Sequence, residues 1–542
     1  MRAYKIISVA IVSIMLCVSG CEEIVPFEDI KPLNPVDQDF DVSTTHAKDW
    51  TMIILASNNQ FPSTVPAPLA TNDPKYVAEL DAIKDAQSKL TDSQREAIKY
   101  WSAGGVIRWN QIMRGLVARF ALPPAPKADG TYPIPDAENP FGDPAFPFAN
   151  PPYDARAYSY LSVAQYEALK SAWYYKELYQ RPAPYAVDNT IQALVPESNL
   201  PAYPSEDAVI SGVTAEMLKV LFPAAVEEIT LKAAEQRNAA LWSGKAASSD
   251  ISAGLALGKA VAGFITAPGT GRFRTDGMGA AGGDKAKWAV LIDSAKLHYT
   301  KYNAANPSDT RDISTEIFWK SLDTPARPPM LPFFGNVKGW FMSPAQFATE
   351  RTNVGPPPST SSDLMKTEVA EVKKETDKMD REKLRIVHYW ADGAGTYAPP
   401  GHWNHIAEDY IIKANFSEVR AARAYAYLNT AIHDAGVGCW NVKFYWYNPR
   451  PTQLDPDIKT FTGMPNFPSY LSGHSTFSAA AAEVLSYLFP DGATTFDAMK
   501  EEAAISRLYG GIHYRSDIEK GKTLGQAIGV YTRTYAQADG AD

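Results

Sequence analysis

The 542-residue chain has only three cysteines, Cys17, Cys21 and Cys439. Two of them fall within the first 21 residues, so no disulfide framework can brace the body. Positive charge is also short: 52 Lys and Arg stand against 61 Asp and Glu, a formal net charge of −9. No basic tract exists to neutralise a phosphate backbone, which argues against a general nucleic-acid role. Beyond the N-terminus no stretch reaches transmembrane length. Phe477–Phe489 is apolar but short and carries Glu483, the pattern of a buried core helix. Strand-like alternation is scarce, and no internal repeat is evident. What the chain does have is 45% apolar residues, enough for a large core. Its length could hold two to four average domains, or one large helical body with a decorated active-site half.

The N-terminus reads as an export signal. Arg2 and Lys5 precede an apolar run from Ile6 to Val18, too short to span a bilayer comfortably. The run ends in Val18-Ser19-Gly20-Cys21, which resembles a bacterial lipobox. That resemblance implies a lipoprotein signal peptide at 1–20, cleavage before Cys21 and diacylation of its sulfur. Glu22 gives no cause for inner-membrane retention, so the expected address is the outer membrane of a Gram-negative cell, with the leaflet open. Cleavage and acylation would leave Cys439 as the sole thiol. Beside Trp440, with no cysteine-protease context, it reads as a small buried hydrophobe. Residues 21–45 read as an acidic tether: from 22 to 45 seven carboxylates face one Lys31.

From Asp73 onward apolar residues recur at helical spacing. Helices are expected over Tyr76–Leu90, Val106–Phe120, Ala155–Leu178, Asp207–Leu221, Ala225–Trp242, Ile251–Ile265 and Asp363–Trp390. Thr91-Asp92-Ser93-Gln94 is a capping-box pattern opening a helix through Trp101. Two long irregular regions interrupt this, 122–153 and 323–360, both rich in Pro; loops of that length are commonly rims or lids. The working division is a helical N-terminal region, 46–360, and a C-terminal catalytic region, 361–542.

Three clusters in that second region carry the chemistry. The first is Lys443, six residues, then Arg450-Pro451; the second is Ser472-Gly473-His474; the third is Ser506-Arg507, five residues, His513, three residues, Asp517. A tetrahedral dianion needs several fixed positive donors: Arg offers a planar fork and Lys a point charge. Pro451 disfavours helical geometry at Arg450, so the arginine is expected in an extended or turn conformation. Gly473 lets backbone approach a ligand, and the helix expected to begin near Phe477 offers unpaired N–H groups and a positive dipole end. His513 follows the break at Gly510-Gly511. Ser516 and Glu519 are placed to cap the final helix, which runs to about Ala536. Asp517 can favour that helix dipole and also accept an N–H from His513, fixing its tautomer.

Together the clusters resemble the three-part signature of type 2 phosphatidic acid phosphatases and vanadium-dependent haloperoxidases. The likeness is specific over roughly 430–520 and extends more loosely to His388-Tyr389-Trp390 and Pro399-Pro400-Gly401-His402-Trp403-Asn404. One departure is Leu471, where the family usually has Pro before Ser-Gly-His. The resemblance implies an all-α fold, a large helical bundle of the vanadium haloperoxidase and acid phosphatase type. It implies that Lys443, Arg450, Ser472, Gly473 and Arg507 bind the oxyanion. His513 would be the nucleophile on phosphorus or the direct ligand of vanadium, and His474 the acid–base group. Trp440 and Phe467 resemble positions lining the halide side of haloperoxidase sites; hydrophobic packing explains them equally well.

Asp434, near the C-terminal end of the helix from Ser417, sits where the dipole disfavours a carboxylate. A cationic partner such as Arg507 or Lys443, or simple solvation, would account for it. His433, His402 and His405 read as structural or rim residues; His402 and His405 lack an acidic third ligand at convincing spacing for zinc. Three functions stay open. The first is a vanadium haloperoxidase with vanadate as cofactor and halide and peroxide as substrates. The second is an acid phosphatase acting on phosphate monoesters through phospho-histidine, with no cofactor. The third is a non-enzymatic, ligand-binding helical lipoprotein.

Overall fold

The computed structural model describes residues 46–122, 125–132 and 149–541. The expectations for the signal peptide, Cys21, the tether and most of the 122–153 loop therefore lie outside the described residues. Those residues contain helices and no strand, as expected for an all-α fold.

The N-terminal part runs through α1 (Pro74–Ser88), α2 (Asp92–Trp101), α3 (Gly105–Phe120), α4 (Pro151–Tyr179), α5 (Glu206–Leu221), α6 (Val226–Trp242), α7 (Ser248–Thr266), α8 (Leu291–Ala305) and α9 (Pro344–Val354). The C-terminal part runs through α10 (Asp363–Asp377), α11 (Arg381–Tyr389), α12 (Ala398–Lys413), α13 (Glu418–Trp446), α14 (Gly473–Leu488), α15 (Ala493–Tyr509) and α16 (Arg515–Gln537). Shorter helical turns connect them. The Thr91 capping box forms: Thr91 N–H donates to Gln94 Oε1 at 2.9 Å, and Gln94 N–H to Thr91 Oγ1 at 3.3 Å.

Two expectations need correcting. The stretch 363–390 is two helices, because the Asp380 carboxylate accepts the Lys383 N–H at 2.8 Å and starts a new helix. The region 323–360 contains α9, opened by a capping box between Ser343 and Gln346.

The centre of the molecule is α13, buried along nearly its whole length. It packs against α4, α14 and α16. Because α4 precedes residue 360 and α13 follows it, the two proposed regions share one core. Buried carboxylates tie this core together, Glu418 across the boundary and Glu167 within the first region. Glu418, at the start of α13, accepts the N–H groups of Gly105 and Val106 at the start of α3. Glu167 on α4 accepts three successive N–H groups, from Ile53, Ile54 and Leu55, at 2.6, 3.3 and 2.7 Å. Among the described residues, no helix is long and apolar enough to cross a membrane.

The contact that matters most for the site is α14 on α16. Gly521, Gly525 and Gly529 recur at four-residue spacing along α16 and face α14. A Cβ on Gly525 would overlap the Thr476 carbonyl oxygen, and one on Gly521 would come within 2.9 Å of the Ser472 carbonyl oxygen. Only glycine allows these backbones so close, and the approach sets the start of α14 beside the start of α16. We therefore expect Gly525→Ala to destabilise the protein by about 2 kcal/mol, as overpacking does, read as a lower urea midpoint. Gly263→Ala on α7, whose Cβ meets nothing within 4 Å, is expected to stabilise the protein by about 0.5–1 kcal/mol through helix propensity, read as a higher urea midpoint.

Candidate active site

The site begins at the N-terminus of α14. The helix starts at Gly473, four residues earlier than expected, because Ser472 caps it: its Oγ accepts the Ser475 N–H at 3.3 Å. Ser472 N–H in turn donates to the Asp517 carbonyl at 3.0 Å. The first-turn N–H groups of Gly473 and His474 have no acceptor within the helix. A Cβ on Gly473 would meet protein only at 3.7 and 3.8 Å, from Phe477 and Trp440. Packing does not demand glycine there, so the missing Cβ leaves room for something else.

Three cations converge from separate elements. Lys443, in the last turn of α13, is 0% exposed, and its Nζ donates to the carbonyls of Pro468 and Ser469, both at 2.8 Å. Arg450 has the extended conformation expected before Pro451, with φ −79° and ψ 155°. Its Nε donates to the Phe467 carbonyl at 3.0 Å, and its Nη1 to the Ile512 carbonyl at 2.8 Å and to His513 Nε2 at 3.1 Å. Its Nη2 is buried without a partner. Arg507, at the end of α15, donates from Nε to Ser506 Oγ at 2.8 Å and from Nη2 to the Val387 carbonyl at 3.2 Å. Burial lowers the pKa of all three, bringing Lys443 down to about 7 and both arginines to about 10, so each holds its charge against a desolvation cost. Their hydrogen-bond partners are carbonyls, a hydroxyl and a neutral imidazole, so the charge is desolvated and poorly balanced.

His513 stands among them. Its Nδ1 lies 2.8 Å from Asp517 Oδ2, and its Nε2 faces the Arg450 donor. An acceptor on one side and a donor on the other require Nδ1 to carry the proton and Nε2 the lone pair. Asp517 serves both expected roles: the same oxygen accepts the Tyr514 N–H at 3.2 Å at the start of α16. Its partner Ser469 donates its hydroxyl to that oxygen as well. Ser516 and Glu519 do not form the expected cap. Ser516 instead donates its N–H and hydroxyl to Glu368, at 3.2 and 2.8 Å, and Asp517 takes the capping place.

His474 Nε2 is buried without a hydrogen-bond partner, 3.9 Å from Asp392 Oδ2. Both site histidines have pKa values well below the usual range, first through burial. The charges of Arg450, Lys443 and Arg507 then lower His513 further, and Arg507 and His402 lower His474. Both rings are therefore neutral at pH 7 until an anion offsets the neighbouring charge.

These groups open on a cavity of about 420 Å³, lined by Gly473, His474, Arg507 and His513 with Trp440 and Phe467. The two aromatic rings lie 4.9 Å apart at 52°. Phe467 also packs on two of the cations: Lys443 Nζ is 4.9 Å and Arg450 Cζ 5.0 Å from its centroid. Asp323, Arg327 and Met330, from the long proline-rich region, form part of the cavity wall.

Asp434 is elsewhere. Its carboxylate accepts the N–H groups of Trp340 and Phe341 at 2.7 and 3.0 Å and lies 3.0 Å from His433 Nδ1. Neither Arg507 nor Lys443 is its partner; it anchors a loop. The acid beside Arg507 is Asp392, whose charge supports the arginine and whose oxygens lie 3.0 and 3.2 Å from His402 Nδ1. His402 stacks on Trp390 at 4.4 Å, so both loosely resembling segments reach the site. His405 packs on Tyr397. Among the described residues no group of three or more His, Cys, Asp or Glu is arranged to hold a metal ion. Sequence reasoning missed Asp392 and Ser469. The one usable signal was Asp392-Gly393, a turn pair just after Trp390; Asp392 has a positive φ of 45°, which Asp tolerates better than most residues. Cys439 is fully buried, with its thiol pushed up by burial.

Residues 424–540 match the model of the PAP2 superfamily. No curated protein matches the sequence. A solved bacterial vanadium-dependent iodoperoxidase is similar at 22% identity, over 71% of this chain and 91% of that one, with a TM-score of 0.51. A holo-type bacterial vanadium-dependent chloroperoxidase is similar at 14% identity, over 76% of this chain and 97% of that one, with a TM-score of 0.47. The iodoperoxidase likeness establishes a shared helical fold.

Asp517→Asn keeps the shape of the side chain but weakens the acceptor that fixes His513. It is expected to weaken binding of orthovanadate or phosphate about 10–100-fold, the usual cost of losing such a partner, as measured by calorimetric titration.

Proposed function

We propose that this chain, whose residues 424–540 belong to the PAP2 superfamily and whose body has the helical fold of a vanadium-dependent iodoperoxidase, is a vanadium-dependent haloperoxidase that oxidises halide with hydrogen peroxide. The observation that carries the reading is the unbalanced charge around His513. Lys443, Arg450 and Arg507 are buried together, and Arg450 Nη2 lacks any acceptor. Such a cluster is stable when a multiply charged oxyanion supplies the missing acceptors.

The residues present fit vanadate. Lys443, Arg450, Arg507, the Ser472 hydroxyl and the Gly473 N–H would hold its oxygens, and His513 would offer vanadium the Nε2 lone pair that now accepts from Arg450 Nη1, with Arg450 turning to the oxyanion instead. Ser472 Oγ already accepts from Ser475 N–H, so its own proton remains free to donate. Bound vanadate supplies a Lewis acid that polarises peroxide for attack by halide. Asp517 holds His513 in the tautomer that keeps Nε2 unprotonated. His474 is positioned to take a proton at Nε2, and its pKa rises once the anion's charge offsets that of Arg507. Trp440 and Phe467 support the halide reading, because they give the cavity an apolar, polarisable wall that suits a soft anion and excludes water.

With orthovanadate, peroxide and bromide or iodide, the purified protein is expected to halogenate a dione reporter. His513→Ala is expected to abolish turnover. No turnover with stoichiometric vanadium bound would reject the reading. The superfamily match also favours a second reading, an acid phosphatase. Under it, a nitrophenyl phosphate is hydrolysed through His513 and vanadate inhibits.

The N-terminal pattern supports a further proposal: the mature chain is anchored through acylated Cys21 to the outer membrane of a Gram-negative cell. Cys21→Ser is then expected to shift the protein from the membrane to the soluble fraction and to remove its fatty-acid label.

A further inference from the structure

Asp154 lies in the first turn of α4 and is fully buried, yet it lines the same cavity as His474, Arg507 and His513. Neither of its carboxyl oxygens has a hydrogen-bond partner. An acid in a first turn ordinarily accepts helix N–H groups. Asp154 does not: its own N–H donates to the Asn150 carbonyl at 3.2 Å, and no N–H reaches its oxygens. Several other buried acids do have donors. Glu167, Glu418 and Asp434 each accept backbone N–H groups. Asp276 accepts from Arg156 at 2.6 Å.

The cavity wall that includes Asp154 also includes Pro151, Met330, Ala398 and Pro399, all without a polar side chain. Arg327, on the same cavity, is paired with Asp323 at 3.0 Å. Burial holds the Asp154 carboxyl well above the usual carboxylate range, which favours its protonated form. A neutral carboxyl both donates and accepts a hydrogen bond. A hydroxyl needs the same pair of bonds when it leaves water.

We propose that Asp154 binds the organic substrate, pairing with the hydroxyl of a phenol or enol whose apolar part rests on the Met330, Pro399 and Trp440 side of the cavity. The assignment rests on the haloperoxidase reading and names the acceptor of the oxidised halogen by its chemistry. A site built to pair with a hydroxyl discriminates strongly against the analogue that cannot complete the pairing.

The test measures affinity, not turnover. The full chain, with orthovanadate present, is titrated calorimetrically with phenol and with anisole, its methyl ether. Phenol is expected to bind at least tenfold more tightly than anisole. Asp154→Leu is expected to bring phenol to the anisole level, and Asp154→Asn, which keeps a donor and an acceptor, to retain part of the preference. The thermal midpoint of Asp154→Leu is expected to equal or exceed the parent's, since no partner is lost. Failure of phenol to bind, equal binding of phenol and anisole, a preference that survives Asp154→Leu, or a lower midpoint for that variant would each overturn the assignment. Peroxide-dependent iodide oxidation by the parent, assayed without phenol, separately tests the haloperoxidase reading, so the two can fail independently.

Discussion

Burying three cations around one imidazole is the constraint on which the rest of this structure turns. Lys443, Arg450 and Arg507 are each at most 1% exposed, and their protein partners are chiefly backbone carbonyls and hydroxyls. Neutral acceptors satisfy geometry but leave the charge uncompensated in a low-dielectric setting. Asp392 supplies negative charge beside Arg507, and Asp517, whose pKa burial raises to about 7, accepts from His513 at the edge of the cluster. A tetrahedral oxyanion bound at the centre would complete the balance, and the surrounding fold must keep the cluster dry and rigid until it arrives.

The fold meets that demand by directing other acids away from the cations. Glu418 and Asp434 accept otherwise unpaired N–H groups at a helix start and in a loop, which joins the chain before residue 360 to the chain after it, and Glu167 does the same within the earlier part. The glycine-lined approach of α16 to α14 then brings Asp517 beside Ser472 and orients His513. A displacement of either helix would act on the oxyanion donors and on the imidazole together, because one contact positions both.

The cavity lining is chemically mixed: Arg507, His474 and His513 share it with Asp154 and with apolar side chains such as Pro151, Met330 and Pro399. Trp440 and Phe467 lie against each other. Cationic donors suit the oxyanion, whereas a neutral buried carboxyl suits an uncharged hydroxyl. One cavity can therefore accept an anion and an organic molecule without either competing for the other's hydrogen bonds.

Much of this was legible in the order of residues. Helical periodicity, the Thr91–Gln94 box, the extended Arg450 before Pro451 and the pairing of His513 with Asp517 four residues later all depend on neighbours in the chain. Local spacing also placed Ser472-Gly473-His474 at a helix start, though the helix begins at Gly473 because Ser472 caps it. Other features needed the folded molecule. Asp434, not Asp392, looked like the partner of Arg507, since a helix-end carboxylate carries no mark of which loop will fold across it. Ser469, Asp392 and Asp154 gain decisive neighbours from distant segments, such as His513 beside Ser469, Arg507 beside Asp392 and Trp440 on the cavity wall with Asp154. The sequence by itself determined the helices and the types of charge available. Only tertiary packing decided which charges were desolvated together and which acids were left without a donor, because burial is a property of the assembled core and not of any local stretch.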